Sequence, residues 1–254
     1  RRLPVRGRRM PAPGCLAMLA WLPGACAAPL RGPEAASAPQ VSRTVDLSHV
    51  IREDSPTPPG DTAPRLFRAP TGELLHLRLG ANTGSLVRVV AAAGAELDTV
   101  ERLSPRDLVL PAVLNAAREQ AQDTPGFALS AEDVRAWERV HGPIAPGTLV
   151  LLATGWDLRW GDPGAYLAPA RDQAPHVPGF GADAADLLLN QRGVAGLGVD
   201  APGRRYTPAR GFALLLENLT SLEQLPPSGA TVVIGALKLQ AAHAAPARVL
   251  ALVP

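Results

Sequence analysis

The side chains that could hold a metal ion or act as nucleophiles are thinly spread along this chain, and their spacing brings few of them together. His49, His76, His141, His176 and His243 form no H-x-H or H-x-x-x-H pair. Those are the spacings that put two imidazoles on one strand face or one helix face, where they can meet at a single cation. Cys15 and Cys26 both fall in the first 28 residues, so the body of the chain offers no thiolate ligand, cysteine nucleophile or disulfide framework. No G-x-S-x-G elbow is present for a serine hydrolase, and the stretch from Gly193 to Gly198 lacks phosphate-loop spacing. What remains is a charged and aromatic set. Arg88 stands in an apolar stretch, Glu217 opens an E-N-L tripeptide, and Trp156, Trp160 and Tyr166 are spaced to line an aromatic pocket or to fill core. Asn218-Leu219-Thr220 has the form of a glycosylation sequon.

These residues must be carried by elements the pattern predicts. Thr44 to Val50 reads as an early strand, Pro56 to Asp61 as a turn, and Leu74 to Leu79 as a second strand bearing His76. Ser104-Pro105 has the form of a helix start, yet Leu108 to Leu114 is apolar enough for a strand. Ser130 with Asp133 three residues on gives a capping-box start to a helix reaching His141, whose charge complements the helix end. Thr148 to Ala153 and Val194 to Val199 read as buried strands, with a helix over Gly181 to Gln191 between them. Ala213 to Leu222 reads as helical, and Thr231 to Leu237 and Arg248 to Val253 as closing strands. The order predicts one α/β domain, a single mixed sheet with flanking helices.

Composition narrows the class. The chain has 254 residues, with 25 Lys and Arg against 23 Asp and Glu, enough length for an export segment and one cored domain. Five arginines crowd the first nine positions, and no basic run follows, which argues against a nucleic-acid surface. That basic start, the apolar run from Cys15 to Leu22 and the small residues Ala25-Cys26-Ala27 fit an export signal over 1–28, or else an Ala/Pro-rich leader. A Pro/Ala/Gly/Ser-rich linker over 29–40 leads to a domain over 41–254. The expectation is an exported protein, free of the membrane once the signal is removed.

Several short segments then carry a resemblance. Asp46-Leu47-Ser48-His49, Pro59-Gly60-Asp61, Thr154-Gly155-Trp156, Gly198-Val199-Asp200, Glu217-Asn218-Leu219, Leu225-Pro226, Leu237-Lys238-Leu239 and the Pro246 to Ala251 stretch follow one another in order. No one of them is diagnostic, but the series from about residue 44 to the end resembles the cyclase family, which includes kynurenine formamidases and isatin hydrolase-like enzymes. The resemblance implies the cyclase-type α/β fold, a metal-dependent, arylformamidase-like hydrolase of a C–N bond, and a homo-oligomer. It implies a small aromatic amide or formamide substrate, such as N-formylkynurenine of tryptophan catabolism.

The family's site motif resembles H-T-G-[TS]-H-x-D-x-P-x-H, in which two His and the Asp hold zinc or manganese and the last His moves a proton. Thr83, Gly84 and Ser85 match it, but Asn82 and Leu86 stand where the two metal-binding His belong. Arg88 replaces the Asp, and Ala92 the proton-transfer His. A further ligand, a His about a dozen residues before the E-N-L glutamate, falls on Arg205, so that Glu217 alone is retained. One carboxylate falls short of the three protein ligands usual in a catalytic site. At about 4 Å and an effective dielectric near 20, unit charges interact by about 4 kcal/mol, so Arg88 opposes a cation where the family has a carboxylate. The Arg88 guanidinium either takes the cation's place and pairs with Glu217 or points to solvent. Two functions follow as expectations: a C–N hydrolase with doubtful metal binding, or a non-catalytic pseudoenzyme acting by binding or as a scaffold.

Overall fold

The computed structural model describes residues 41–95, 98–167 and 177–254. The expected signal segment, the linker and His176 lie outside the described residues.

Twelve strands are described: β1 (Arg43–Asp46), β2 (Arg65–Arg68), β3 (Leu74–Arg78), β4 (Leu86–Ala91), β5 (Val109–Ala116), β6 (Ala128–Leu129), β7 (Leu149–Ala153), β8 (Gly179–Phe180), β9 (Gly196–Val199), β10 (Phe212–Glu217), β11 (Ala230–Ala236) and β12 (Ala244–Val253). Among them run α1 (Arg118–Asp123), α2 (Ala131–His141), α3 (Pro163–Leu167) and α4 (Ala182–Asp186), the last continuing as a wider π-turn over Leu187–Arg192. Ser130 caps α2 as its capping box requires, its side chain accepting from the Asp133 N–H. Ser104 and Asp107 form the same reciprocal box on the short 3-10 turn Pro105–Leu108, and the apolar stretch behind it becomes β5.

The mixed sheet closes on itself. Its strand order is β1-β12-β11-β5-β7-β9-β10-β4, with β5, β7, β9 and β10 parallel and the remaining pairs antiparallel. The length of β12 makes closure possible: Ala247–Leu252 fall in register with β11, Ala244–Pro246 pair back onto β4, and its end pairs with β1. Seven strands thus form a barrel, a more closed shape than a plain sheet with flanking helices.

Alternation along each strand divides the core in two. Leu149, Leu151, Leu214, Leu216, Val87 and Val89 point into the barrel with Val232, Ile234 and Val249. Val150, Leu152, Leu197, Ala213 and Leu215 point outward against Ala184, Leu187 and Leu188 of the α4 region and Val134 of α2. Strands buried on both faces read as continuous apolar runs, which is why β7 shows no alternation in sequence. Gly196 is needed for the packing, because a Cβ there would lie 2.2 Å from the Leu214 carbonyl oxygen.

One element differs from expectation. The Ala213–Leu222 segment is not a helix: its first half is β10, held between β9 and β4. Leucine favours helices intrinsically, but a position with sheet neighbours on both edges and core on both faces overrides that preference.

The scattered segments of the resemblance are contact pairs in space. Arg248 Nη2 reaches Asp46 Oδ2 at 2.7 Å, joining the last segment to the first. Ser48 Oγ accepts from the Val249 N–H at 2.7 Å across the same seam. Asp200 accepts from the Thr154 N–H at 2.8 Å, the Gly155 N–H at 2.7 Å and the Thr154 hydroxyl at 2.6 Å, locking the turn after β7 to the turn after β9. Glu217-Asn218-Leu219 locks onto the Thr83–Ser85 segment, and there the candidate site lies.

Candidate functional site

Strands β4 and β10 are antiparallel neighbours, with Leu86 opposite Glu217 and Arg88 opposite Leu215. Arg88 and Glu217 are therefore diagonal neighbours on one face, the one turned away from the barrel interior, within reach of long side chains. Arg88 Nε donates to Glu217 Oε1 at 2.7 Å, and each residue is only 9 % exposed. Of the two placements open from sequence, the structure adopts the ion pair. Arg88 Nη2 donates to Asn82 Oδ1 at 2.9 Å, and Asn82 Nδ2 donates onward to both oxygens of Asp61 at 3.2 Å. Four side chains thus form one chain of alternating acceptors and donors.

Backbone features fix its inner end. A Cβ on Gly203 would sit 2.4 Å from Glu217 Cγ, so the glycine makes room for the carboxylate's stem. Asn218 takes a positive φ of 56°, which asparagine tolerates better than most residues. Its amide donates to the Gly84 carbonyl at 2.7 Å and accepts from the Tyr166 hydroxyl at 3.0 Å. Ser85 Oγ donates to the Asn218 carbonyl at 2.5 Å and accepts from the His49 N–H at 2.9 Å. These contacts leave the Asn218 amide at the bottom of a packed corner, which accounts for the sequon by structure.

A cavity of about 270 Å³ opens over this network, lined by Asn82, Leu86, Arg88, Arg205 and Glu217 with Tyr166, Leu167, Asp61 and three prolines, Pro56, Pro58 and Pro202. The structure therefore gathers at one place the positions that the family resemblance implies as ligands, Asn82, Leu86, Arg88, Arg205 and Glu217. Ala92 is not among them. It lies just past Ala91, at the other end of β4 from Leu86, about 20 Å away at roughly 3.3 Å per strand residue. β4 runs in register with β10 as far as Ala91, with Val90 opposite Ala213.

Of the three candidate pocket aromatics, Tyr166 lines the cavity and the two tryptophans stand outside it. The buried Trp156 donates its indole N–H to the Tyr166 carbonyl at 3.0 Å, and the Arg159 guanidinium lies 3.9 Å over its ring. Trp160 meets Tyr166 edge-on at 4.8 Å and stacks flat on His49 at 4.0 Å. Burial raises the Tyr166 hydroxyl well above its ordinary pKa, so it stays a neutral donor. Burial likewise lowers His49 to about 4, against a smaller opposing pull from Asp157, so its stacked ring is neutral. His49 faces a separate groove with Val50 and Ile51, and His76, His141 and His243 are not part of the cavity. Sequence reasoning missed Asp61, Gly203 and Asn218 as parts of the site. The P-G-D and E-N-L segments carried the signal for two of them.

The donors present do not suit a divalent cation. Among the described residues the cavity holds two carboxylates, Glu217 and Asp61, of which one is engaged by a guanidinium and the other by an amide. Among the described residues no histidine lines it, and no group of three His, Cys, Asp or Glu side chains converges as a metal site. Catalytic zinc sites require three such ligands and an open position.

Known proteins share this architecture. A family model described as "Putative cyclase" matches residues 45–204. An isatin hydrolase of Roseibium aggregatum is 36 % identical over 168 residues, which are 61 % of this chain and 63 % of that protein, so the match spans less than two thirds of the relative. A crystal structure of an isatin hydrolase bound to the product analogue thioisatinate superposes with a TM-score of 0.75 at 26 % identity, covering 83 % of this chain and 92 % of that one. A protein described as a potential metal-dependent hydrolase with cyclase activity shares the fold at a TM-score of 0.59 and 23 % identity, covering 82 % and 96 %. Closed barrel, interlocked segments and the matched family model agree: this chain belongs to the cyclase family.

Proposed function

We propose that this chain is a cyclase-family binding protein whose Asn82–Glu217 cavity takes a small aromatic amide, a formamide or the acid made from one, without metal-dependent turnover. The observation that carries the reading is the 2.7 Å contact of Arg88 with Glu217. The single retained ligand of the family's metal position is already satisfied by a fixed cation of this chain's own. A guanidinium is charged at every accessible pH, so it holds that place permanently. The relative bound to thioisatinate supports the ligand class, because it shows a small aromatic molecule accommodated by this fold.

A second reading is a C–N hydrolase, favoured by the 36 % identity to an isatin hydrolase; a kynurenine formamidase-like role in tryptophan catabolism is its narrower form. Purified protein should be assayed for zinc and manganese, for turnover of isatin and N-formylkynurenine with and without those ions, and for isatin binding by calorimetry. The expected result is substoichiometric metal, no turnover and saturable binding. Stoichiometric metal with turnover would replace the first reading by the second. Export belongs to the same proposal, supported by the basic start and the apolar run to Leu22; N-terminal sequencing of secreted protein should find residues 1–28 removed. A homo-oligomer is proposed on the family resemblance alone and is checked by light scattering.

A further inference from the structure

Arg88 has more donors than its protein partners use. A guanidinium carries five N–H groups. Nε is used by Glu217 and one proton of Nη2 by Asn82, while Nη1 makes no hydrogen bond among the described residues. The residue lines the cavity and is nine-tenths buried, so its unused donors lie at the cavity wall. Arg205 lines the same cavity from a more exposed position and forms no ion pair or side-chain hydrogen bond among the described residues. The two cavity carboxylates are, by contrast, both engaged: Glu217 by Arg88, and Asp61 on both oxygens by Asn82. Each carboxylate thus has a partner on the protein, while two cationic side chains keep unused donors at this cavity. Pro56, Pro58, Pro202 and Leu167 supply apolar wall, and about 270 Å³ is at the small end of ligand pockets, suited to a single ring.

We infer that the guanidinium standing in for the metal makes this cavity a receptor for a small planar carboxylate on an aromatic ring, held by Arg88 Nη1 and Arg205. This rests on the cavity being the ligand site, and narrows it to the acid. A carboxylate offers two oxygens that match a guanidinium's parallel N–H groups, and such charge-assisted bonds are about twice as strong as neutral ones. The corresponding amide offers one oxygen and turns its NH2 donors against donors already present.

Benzoate and benzamide, nearly identical in shape, separate the two cases by calorimetric titration. Wild-type protein should bind benzoate about tenfold more tightly than benzamide, a difference of about 1.4 kcal/mol. Arg205→Ala alters only an exposed side chain, so the fold is kept; it should weaken benzoate several-fold and benzamide less, narrowing the preference. The paired variant Arg88→Met with Glu217→Gln, which removes both buried charges together, should abolish the preference. Equal affinity for the two probes, or an unchanged benzoate affinity in Arg205→Ala, overturns the inference while benzamide and isatin binding keeps the cavity reading. If benzoate, benzamide and isatin all fail to bind, both fall.

Discussion

Two buried carboxylates of this chain meet burial in opposite ways. Glu217 is answered by a full positive charge, Arg88, at the wall of a cavity. Asp200 is more deeply buried and is answered only by neutral donors, the Thr154 and Gly155 N–H groups and the Thr154 hydroxyl. For Asp200 the cost of burial exceeds the stabilisation from those donors, and its pKa is pushed up to about 6. Both residues belong to segments of the family resemblance, yet one is a lock between two turns and the other lines the cavity. Shared sequence therefore marks structure and site alike; the partner and the open space beside it tell them apart.

The largest effect is expected where the ion pair is broken. Arg88→Met leaves Glu217 uncompensated and should cost about 3–5 kcal/mol of stability in urea unfolding. Adding Glu217→Gln should recover most of that loss. Additive costs would mean that the two residues do not couple and that the comparison with Asp200 is empty.

Acid titration sharpens the other corner. The folded-state pKa of Asp200, near 6, lies above the ordinary 3.8, so as pH falls the folded state takes its proton first and gains stability between about pH 6 and 4. His49 has the reverse sign: its folded pKa near 4 lies below the ordinary 6.5, so the unfolded state takes the proton first and stability is lost over that window. Relative to wild type, Asp200→Asn should lose up to about 3 kcal/mol between pH 7 and 4. His49→Phe should gain about 1–2 kcal/mol over the same range, the smaller figure reflecting its partial exposure. Chemical denaturation at the two pH values measures both, and parallel profiles for the three proteins would refute the assignment.

Restoring donors at the Glu217 corner asks whether only side chains separate this cavity from a metal site. Asn82→His with Leu86→His and Arg88→Asp should bring zinc or manganese binding beside Glu217, with about 2.7 kcal/mol of stabilisation at a metal concentration 100 times the Kd. No rise in Tm with metal would mean that positions 82, 86 and 88 do not converge as described. Changing Ala92 should add nothing, because it lies at the far end of β4. Gly203→Ala should cost about 2 kcal/mol from crowding the Glu217 stem, and the cost should be reduced when Glu217 is also Ala.

Much of this was legible before the fold was known, because it depends on local chemistry. The capping box at Ser130 involves residues three apart and formed as its spacing predicts. β7 announced itself by a continuous apolar run, whereas β10, equally apolar, reads as a helix until its sheet neighbours are seen. That Asn82, Leu86 and Arg88 stand where the resemblance implies histidine and aspartate ligands was visible by inspection, and so was the opposition of Arg88 to a cation. Asp61 and Gly203 were not legible as site residues, since their roles are contacts with side chains 21 and 14 positions away, Asn82 and Glu217.

By itself the sequence determined the family, through an ordered series of short segments, and the residue types at the ligand positions. Only the tertiary structure decided what those residues do. It paired Arg88 with Glu217 across 129 positions of chain, carried Ala92 away from them on an unbroken strand, and set the two tryptophans behind Tyr166 instead of in the cavity. The physical reason is that charge and side-chain size are properties of a residue, while a partner, a buried surface and an enclosed volume exist only once distant strands are in register.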